Sequence, residues 1–477
     1  MVDYDVVIIG GTLAGRDAAL KAVQLRAKVA LVEPLFRDDL IQLQGIGEVN
    51  KVVGKFNDLT RFGICDRGDA AEKPQVSLEK TLMWGSAVAA NVREQLSPAF
   101  LAAQGVDVVV GNGCFQASPD LCFIVNDRRL LARNFLLATG SVAAIPNIEG
   151  LQKTEFLTLS NVARVLKSSK PPKSWVILGG TPQSIEIAQS LARLGYEVTF
   201  IVKSPVIISP IDLEIARSLQ AQLEVEGVRV FTQTTVTQIR LIEGKKWLQA
   251  GDIAIETDEI LVAVAEKPFI ESLNLAAVGV KYNSRKLLVN KKLQTTNHRI
   301  YACGDVIGGY NLPNIANYEA KIAIKNALLF PRYQINYQAI PWGILTQPMF
   351  AQVGLTETQA ENRYGSEILV LRQYFKTLAS AQLTDETTGI CKIIVRRNGE
   401  ILGASLLGAE ARESINIIAL AIAEKIKINK LANLSSVYSS FSEIIAQTAW
   451  EWNKQRFENV RSQDFWDNVF YFLRNRM

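Results

Sequence analysis

The stretch VIIGGTLAG, residues 7–15, decides the fold. It ends a run of apolar, β-branched residues that reads as a buried strand over Tyr4–Ile9. The segment Ala14–Gln24 then reads as a helix and Lys28–Glu33 as a second strand, so the unit is strand–turn–helix–strand. In such a unit the first glycine makes the tight turn, the second lets backbone approach a phosphate, and the third lets helix and strand pack closely. Gly10 and Gly15 keep the first and third places, and Thr12 stands in the second. Its branched Cβ lies where a phosphate approaches, and its hydroxyl is a donor for a phosphate oxygen. Glu33 ends the second strand, where an acid accepts ribose hydroxyls.

The pattern occurs twice. VILGGTPQS, residues 176–184, follows a strand over Trp175–Leu178 and opens a helix over Ser184–Leu194, with a strand over Glu197–Val202 behind it. Gly179 keeps the first place, Thr181 again stands in the second, and Ser184 takes the third. Val202 sits where an acid would select NAD, and Lys203 follows, suited to a 2′-phosphate. Two nucleotide-binding units in one chain suggest two dinucleotides that exchange something.

At 477 residues the chain is too long for one hydrophobic core. With 52 Lys+Arg against 47 Asp+Glu the net charge is +5, too balanced to argue for nucleic acid. The five cysteines, Cys65, Cys114, Cys122, Cys303 and Cys391, show no C-x-x-C spacing, which fits free thiols in a reducing compartment. The single histidine, His298, argues against a zinc site. No secretory signal pattern and no apolar run of membrane-spanning length are visible, so the expectation is a soluble, cytoplasmic protein, at most peripheral to a membrane.

Further strands are expected at Val106–Val110, Cys122–Asn126, Phe135–Gly140 and Ile260–Ala265. Beyond Pro341 the pattern changes to a mixed α+β segment, with strands at 343–346, 367–375 and 390–396 and helices at 357–364 and 413–426.

With both turns, ATGSVAAIPNIEG at 138–150 and IYACGDVIGG at 300–309 in this order, the chain resembles the flavoprotein pyridine nucleotide-disulfide oxidoreductases, in the style of dihydrolipoamide dehydrogenase and mercuric reductase. The resemblance covers residues 4–450. It implies an α/β fold with two Rossmann-like nucleotide-binding domains and a C-terminal α+β dimerisation domain. The boundaries expected are 1–150 with 272–340 for FAD, 151–271 for NAD(P), 341–449 for dimerisation, and 450–477 as an extension. It also implies FAD in the first site, NAD(P)H in the second, and a homodimer. Asp305, after Gly304, would hydrogen-bond the flavin ribityl chain, and Thr139 and Gly140 belong to the linking FAD motif.

The departures bear on chemistry. The family's C-x-x-x-x-C redox pair has no cysteine in EPLFRDDLIQLQGIGEVNK, residues 33–51; counted without gaps, Gln42 and Gly47 stand there. Lys51 falls on the family's lysine beside the flavin N5, and Glu186 on its glutamate partner. In the family's H-x-x-x-x-E motif, donated by the partner subunit, Tyr438 takes the histidine place and Glu443 the glutamate place. Disulfide exchange needs a thiolate and a base, and tyrosine, with a pKa of ~10, is a poor base at neutral pH. The nicotinamide motif reads AVAEKPF at 263–269, with Glu266 in place of arginine, which would set a negative charge beside a nucleotide diphosphate. NAD(P)H is therefore the weaker of the two cofactor assignments.

The tail, 451–477, is aromatic and basic. As a helix it sets Phe465, Trp466, Val469, Phe470 and Leu473 on one side, with Arg461, Arg474 and Arg476 supplying charge. Such a helix packs on protein, its dimer partner first, or lies on a membrane surface. The leading function is an FAD oxidoreductase without a dithiol, passing electrons from NAD(P)H through FAD to a small acceptor such as a quinone. The alternatives are a retired dimeric FAD-binding or interaction protein, and a flavoprotein fed by another electron carrier.

Overall fold

The structure is a computed structural model that describes residues 2–33, 78–168, 170–309, 312–457 and 460–475. It divides into two compact units, residues 1–207 with 223–335, and residues 208–222 with 336–477.

In the first unit, strands β1 (Tyr4–Ile9), β2 (Val29–Glu33) and β3 (Asp107–Val110) run parallel. β4 (Gly113–Gln116) and β5 (Cys122–Val125) are antiparallel to each other, and β5 also to the start of β6 (Arg128–Leu137). The far half of β6 pairs parallel with β1. Helix α1 (Leu13–Gln24) carries the chain from β1 to β2, while β6 lies on the other side of β1. Strand order therefore reverses at β1, and the crevice between the carboxyl ends of β1 and β6 is where such sheets bind ligands. β1 and β2 are almost wholly buried, which is why they read as unbroken apolar runs without alternation. Helix α2 (Leu78–Glu94) follows the undescribed segment.

Past the short strands β7 (Ser141–Ala143) and β8 (Leu157–Thr158), the design repeats. β9 (Ser174–Leu178), α3 (Pro182–Arg193) and β10 (Glu197–Ile201) form the second strand–helix–strand unit. They belong to a parallel sheet of order β11-β10-β9-β15-β8, with β11 at Arg229–Phe231 and β15 at Glu259–Val262. A meander of β12 (Val236–Ile242), β13 (Lys245–Ala250) and β14 (Ile253–Thr257) precedes β15. β16 (Glu266–Pro268) pairs antiparallel with β7 in a two-stranded ribbon of its own. β17 (Ile300–Ala302) then adds to β6, and helix α5 (Pro313–Leu328) packs on α1.

The second unit is a five-stranded antiparallel sheet of order β18-β19-β22-β21-β20: β18 (Trp342–Ile344), β19 (Met349–Gly354), β20 (Ile368–Tyr374), β21 (Ile390–Arg396) and β22 (Ile401–Gly408). Helix α6 (Glu357–Tyr364) opens on a Thr356–Gln359 capping box. α7 (Ala411–Ala423) and α8 (Glu443–Phe457) close the core, and α9 (Val460–Arg474) ends the chain.

The segment 208–222, which begins helix α4 (Leu213–Val225), joins this unit through a buried cation. Lys392, on β21, is 1% exposed. Its Nζ donates to Asp212 Oδ1 at 2.8 Å and to Glu214 at 3.4 Å, and pairs with Glu357. Burial alone would push the lysine pKa down; hydrogen bonds to Asp212 and Glu357 outweigh it and hold the pKa above its usual value. Removing the cation leaves the buried Asp212 carboxylate without its lysine, while Glu214 and Glu357 keep Arg372. Lys392→Met is therefore expected to destabilise the second unit by about 3–5 kcal/mol. A drop in the urea midpoint for fluorescence of Trp450 and Trp452 checks this.

Candidate functional site

The cleft at the first switch point is lined by Gly10–Ala14 from the turn, Thr139 and Gly140 after β6, and Cys303–Asp305 after β17. Gly10 has φ +119°, and a Cβ there would lie 2.1 Å from the Ala138 carbonyl oxygen. A Cβ on Gly15 would meet the Gly10 carbonyl at 2.1 Å, so the third glycine does seat the helix against the turn. The backbone N–H groups of Gly11, Thr12, Leu13 and Ala14 carry no hydrogen bond among the described residues. They gather at the N-terminus of α1, where the helix dipole favours an anion.

Thr12 differs from the expectation. Its hydroxyl donates to the Ala138 carbonyl at 3.0 Å and accepts the N–H of Gly15 at 3.2 Å. The proton offered on paper to a phosphate is spent on the neighbouring strand. The side chain folds toward Gly140 and away from the line of approach; its methyl carbon would sit 3.2 Å from a Cβ there. The backbone donors therefore face the cleft without the obstruction that the branched Cβ suggested.

Glu33 lies under Gly11, whose Cβ would meet Glu33 Oε2 at 2.1 Å. It is held by Arg16, whose Nε and Nη2 donate to the two carboxylate oxygens at 3.1 Å each. Both side chains are buried. The sequence reading missed Arg16. It is the one charged residue among the buried residues of α1.

The wall of the cleft after β17 is acidic. Burial pushes the Asp305 carboxyl up to about 8, reinforced by the charges of Glu266 and Glu319. Glu319, on α5, accepts the Gly304 N–H at 2.6 Å. Glu266 is a second correction: β16 pairs with β7, the Ser141 hydroxyl donates to its carboxylate, and its charge bears on Asp305 in the first cleft. Sequence spacing showed neither Glu266 nor Glu319 here, because Glu266 arrives through the β16–β7 pairing and Glu319 through the packing of the following helix. The Thr139 hydroxyl is buried in this wall without a partner among the described residues. An orphaned hydroxyl, four open N–H groups and a desolvated carboxyl are what a polar, phosphate-bearing cofactor would satisfy.

The second turn repeats the threonine tie. Thr181 donates to the Ala263 carbonyl at 3.2 Å and accepts the Ser184 N–H at 3.2 Å. A Cβ on Gly179 would meet the Phe200 ring at 2.1 Å. Here, however, the Ser184 hydroxyl accepts the N–H groups of Gly180 and Thr181 at 3.1 Å each and donates to the Thr181 carbonyl at 2.6 Å. Lys203 is exposed just past β10. Glu186 lies half-buried on α3.

Lys51, Gln42 and Gly47 lie outside the described residues. Tyr438 is 84% exposed. Glu443 opens α8 and accepts the Ser440 N–H at 2.9 Å, so it caps its own helix. On α9, Phe470 and Leu473 are exposed and Val469 half-buried; the side chains of Arg461, Phe465 and Trp466, and Arg476, lie outside the described residues. No helix among the described residues is long and apolar enough to cross a membrane. Nor does any group of histidine, cysteine or acid residues among them fit a metal ion.

Residues 4–320 match the family described as pyridine nucleotide-disulphide oxidoreductase, and residues 340–449 match its dimerisation domain. The chain belongs to the pyridine nucleotide-disulphide oxidoreductase family. Members of this family are FAD-dependent oxidoreductases, and the chain is a flavoprotein of that type. A mercuric reductase of Staphylococcus aureus is 28% identical over 465 residues, covering 95% of this chain and 83% of the relative. A dihydrolipoyl dehydrogenase of Bacillus subtilis is 28% identical over 466 residues, covering 92% and 96%. In fold the chain is similar to LpdA from Mycobacterium tuberculosis, with a TM-score of 0.84 and 22% identity over 94% of this chain and 99% of that one. The flavoprotein disulfide reductase RclA from Escherichia coli gives 0.80 and 23% over the same shares.

The Asp305 assignment carries a pH signature. Its folded pKa, about 8, lies above the ordinary 3.8. Below about pH 4 the carboxyl is neutral in both states and costs nothing. As pH rises toward about 8, the unfolded chain releases a proton that the folded cofactor-free chain retains, so stability falls. Asp305→Asn is expected to melt at the same temperature as the parent near pH 4 and several degrees higher near pH 8. Thermal scans of the cofactor-free pair across that range measure it.

Proposed function

We propose that the chain is a homodimeric FAD-dependent oxidoreductase whose electron acceptor is a small molecule other than a disulfide. The observation that carries this is the cysteine inventory. No two of the five cysteines stand in C-x-x-x-x-C. Of those described, Cys114, Cys122, Cys303 and Cys391 are free, and only Cys303 lines the cleft. Its thiol is buried, and desolvation with the charges of Glu319 and Asp305 pushes its pKa well above the ordinary value. A thiol held protonated is a poor nucleophile for disulfide exchange.

FAD supplies the capacity to take up electrons in pairs and give them back. The open N–H groups beside Gly10, Thr12 and Gly15 suit its diphosphate. Thr139, Gly140, Gly304 and Asp305 suit its ribityl and flavin side. Glu33, held by Arg16 beneath Gly11, is in this reading the acid at the ribose end. In this reading Lys51 stands near the flavin with Glu186 as its partner. Tyr438 and Glu443 face the partner subunit's cleft, the tyrosine as a hydrogen-bond donor and not as a base. In this reading the acceptor is a flat molecule of the quinone class, taken where the family's dithiol would stand.

The test bypasses the physiological donor. Holoenzyme is reduced with dithionite under nitrogen and mixed with a naphthoquinone, oxidised lipoamide, glutathione disulfide or mercuric ion. Recovery of the oxidised flavin spectrum by quinone, and none by the disulfides or the metal ion, is the expected result. Reoxidation by a disulfide sinks the reading.

A further inference from the structure

We propose that Ser184 is a built-in substitute for a nucleotide phosphate, which closes the second turn to dinucleotides and makes the reductant of this chain something other than a nicotinamide nucleotide bound there. The two turns carry the same threonine tie, which makes the comparison internal to one molecule. At the first, four consecutive N–H groups, Gly11 to Ala14, are open. At the matching places in the second, Gly180 and Thr181 give their N–H groups to the Ser184 hydroxyl, and the third is Pro182, which has none. Three of the four donors are gone.

The serine oxygen sits as a phosphate oxygen would, accepting two backbone N–H groups at the start of a helix. Its own proton is placed on the Thr181 carbonyl. With two bonds accepted and one donated, the hydroxyl is fully used, and the residue is 0% exposed. A phosphate can take the two N–H groups only by displacing it and leaving a buried hydroxyl unsatisfied, a loss of about 10- to 100-fold in affinity. The first turn escapes because Gly15 has no side chain, and the Cβ clash with Gly10 forbids one. Val202, buried at the end of β10, offers nothing to a ribose hydroxyl. Lys203 beside it is a cation with no diphosphate cradle to work with.

The inference concerns the donor side; it rests on the FAD reading only for its folding control. Holoenzyme is titrated calorimetrically with NADH, NADPH and ADP-ribose without oxygen, while flavin absorption is followed. Binding no tighter than about 1 mM, with no bleaching, is expected for all three. Micromolar binding of either nicotinamide nucleotide to the parent protein, bleaching or not, overturns the proposal. Ser184→Ala keeps the Cβ and frees both N–H groups. It is expected to bind ADP-ribose at least about tenfold tighter than the parent. Ser184→Ala that retains its flavin, and so is folded, yet shows no gain, overturns the role given to the serine. Failure on either count leaves the dithionite experiment unaffected, since that experiment never loads the second turn.

Discussion

The structure depends on a hydroxyl laid between two parallel strands. Thr12 bridges from the turn after β1 to the last carbonyl beyond β6, and Thr181 bridges in the same way from the turn after β9 to the carbonyl beyond β15. At a switch point the two strands diverge, and their terminal carbonyls have no ladder partner on that side. Each threonine satisfies one, and with its acceptor side caps the following helix. A glycine in this place gives room to a ligand and no bond to the fold. Threonine reverses that balance, and the twofold use of the same solution shows that it is a property of the turns and not of either cofactor.

What separates the turns is chiefly the residue three places on, with Pro182 removing one donor more. With glycine there, the donors at the helix start stay open to the cleft. With serine, the protein's own oxygen completes them. The difference is a few atoms in local structure, yet it decides whether the fold's anion site points outward or is spent internally. The acid-lined wall beyond β17 belongs to the same logic of unfinished polar groups. Asp305 and the Thr139 hydroxyl are left short of partners in the first cleft, and the second turn is left short of nothing of that kind.

Much of the fold was legible, for a reason that also marks the limits. Strand Tyr4–Ile9 and helix Glu357–Tyr364 have the ends that apolar runs and caps imply. β19 and β22 were not read, because they carry no alternation and, unlike Tyr4–Ile9, their apolar runs are interrupted by Gly, Ala, Ser or Gln. The glycine positions and Asp305 could be placed from motif context. The Arg16–Glu33 fork, the turn of Glu266 toward Asp305, and the reach of Thr12 to Ala138 could not. Each joins residues 17 or more apart, through pairings that only the folded sheet creates. The identity of Ser184 was plain in the sequence; what its oxygen touches was not.

The buried Lys392 has a consequence for how far the molecule can be taken apart. Its most deeply buried partner, Asp212, belongs to a short segment more than a hundred residues before the rest of its unit. A fragment cut at residue 336 would contain the cation and lose two of its three carboxylates. The second unit is thus not a cassette that can be moved or expressed as one continuous stretch. Its charge balance is written into the middle of the chain, and any recombination that splits the two places leaves the buried lysine with Glu357 alone of its three carboxylates.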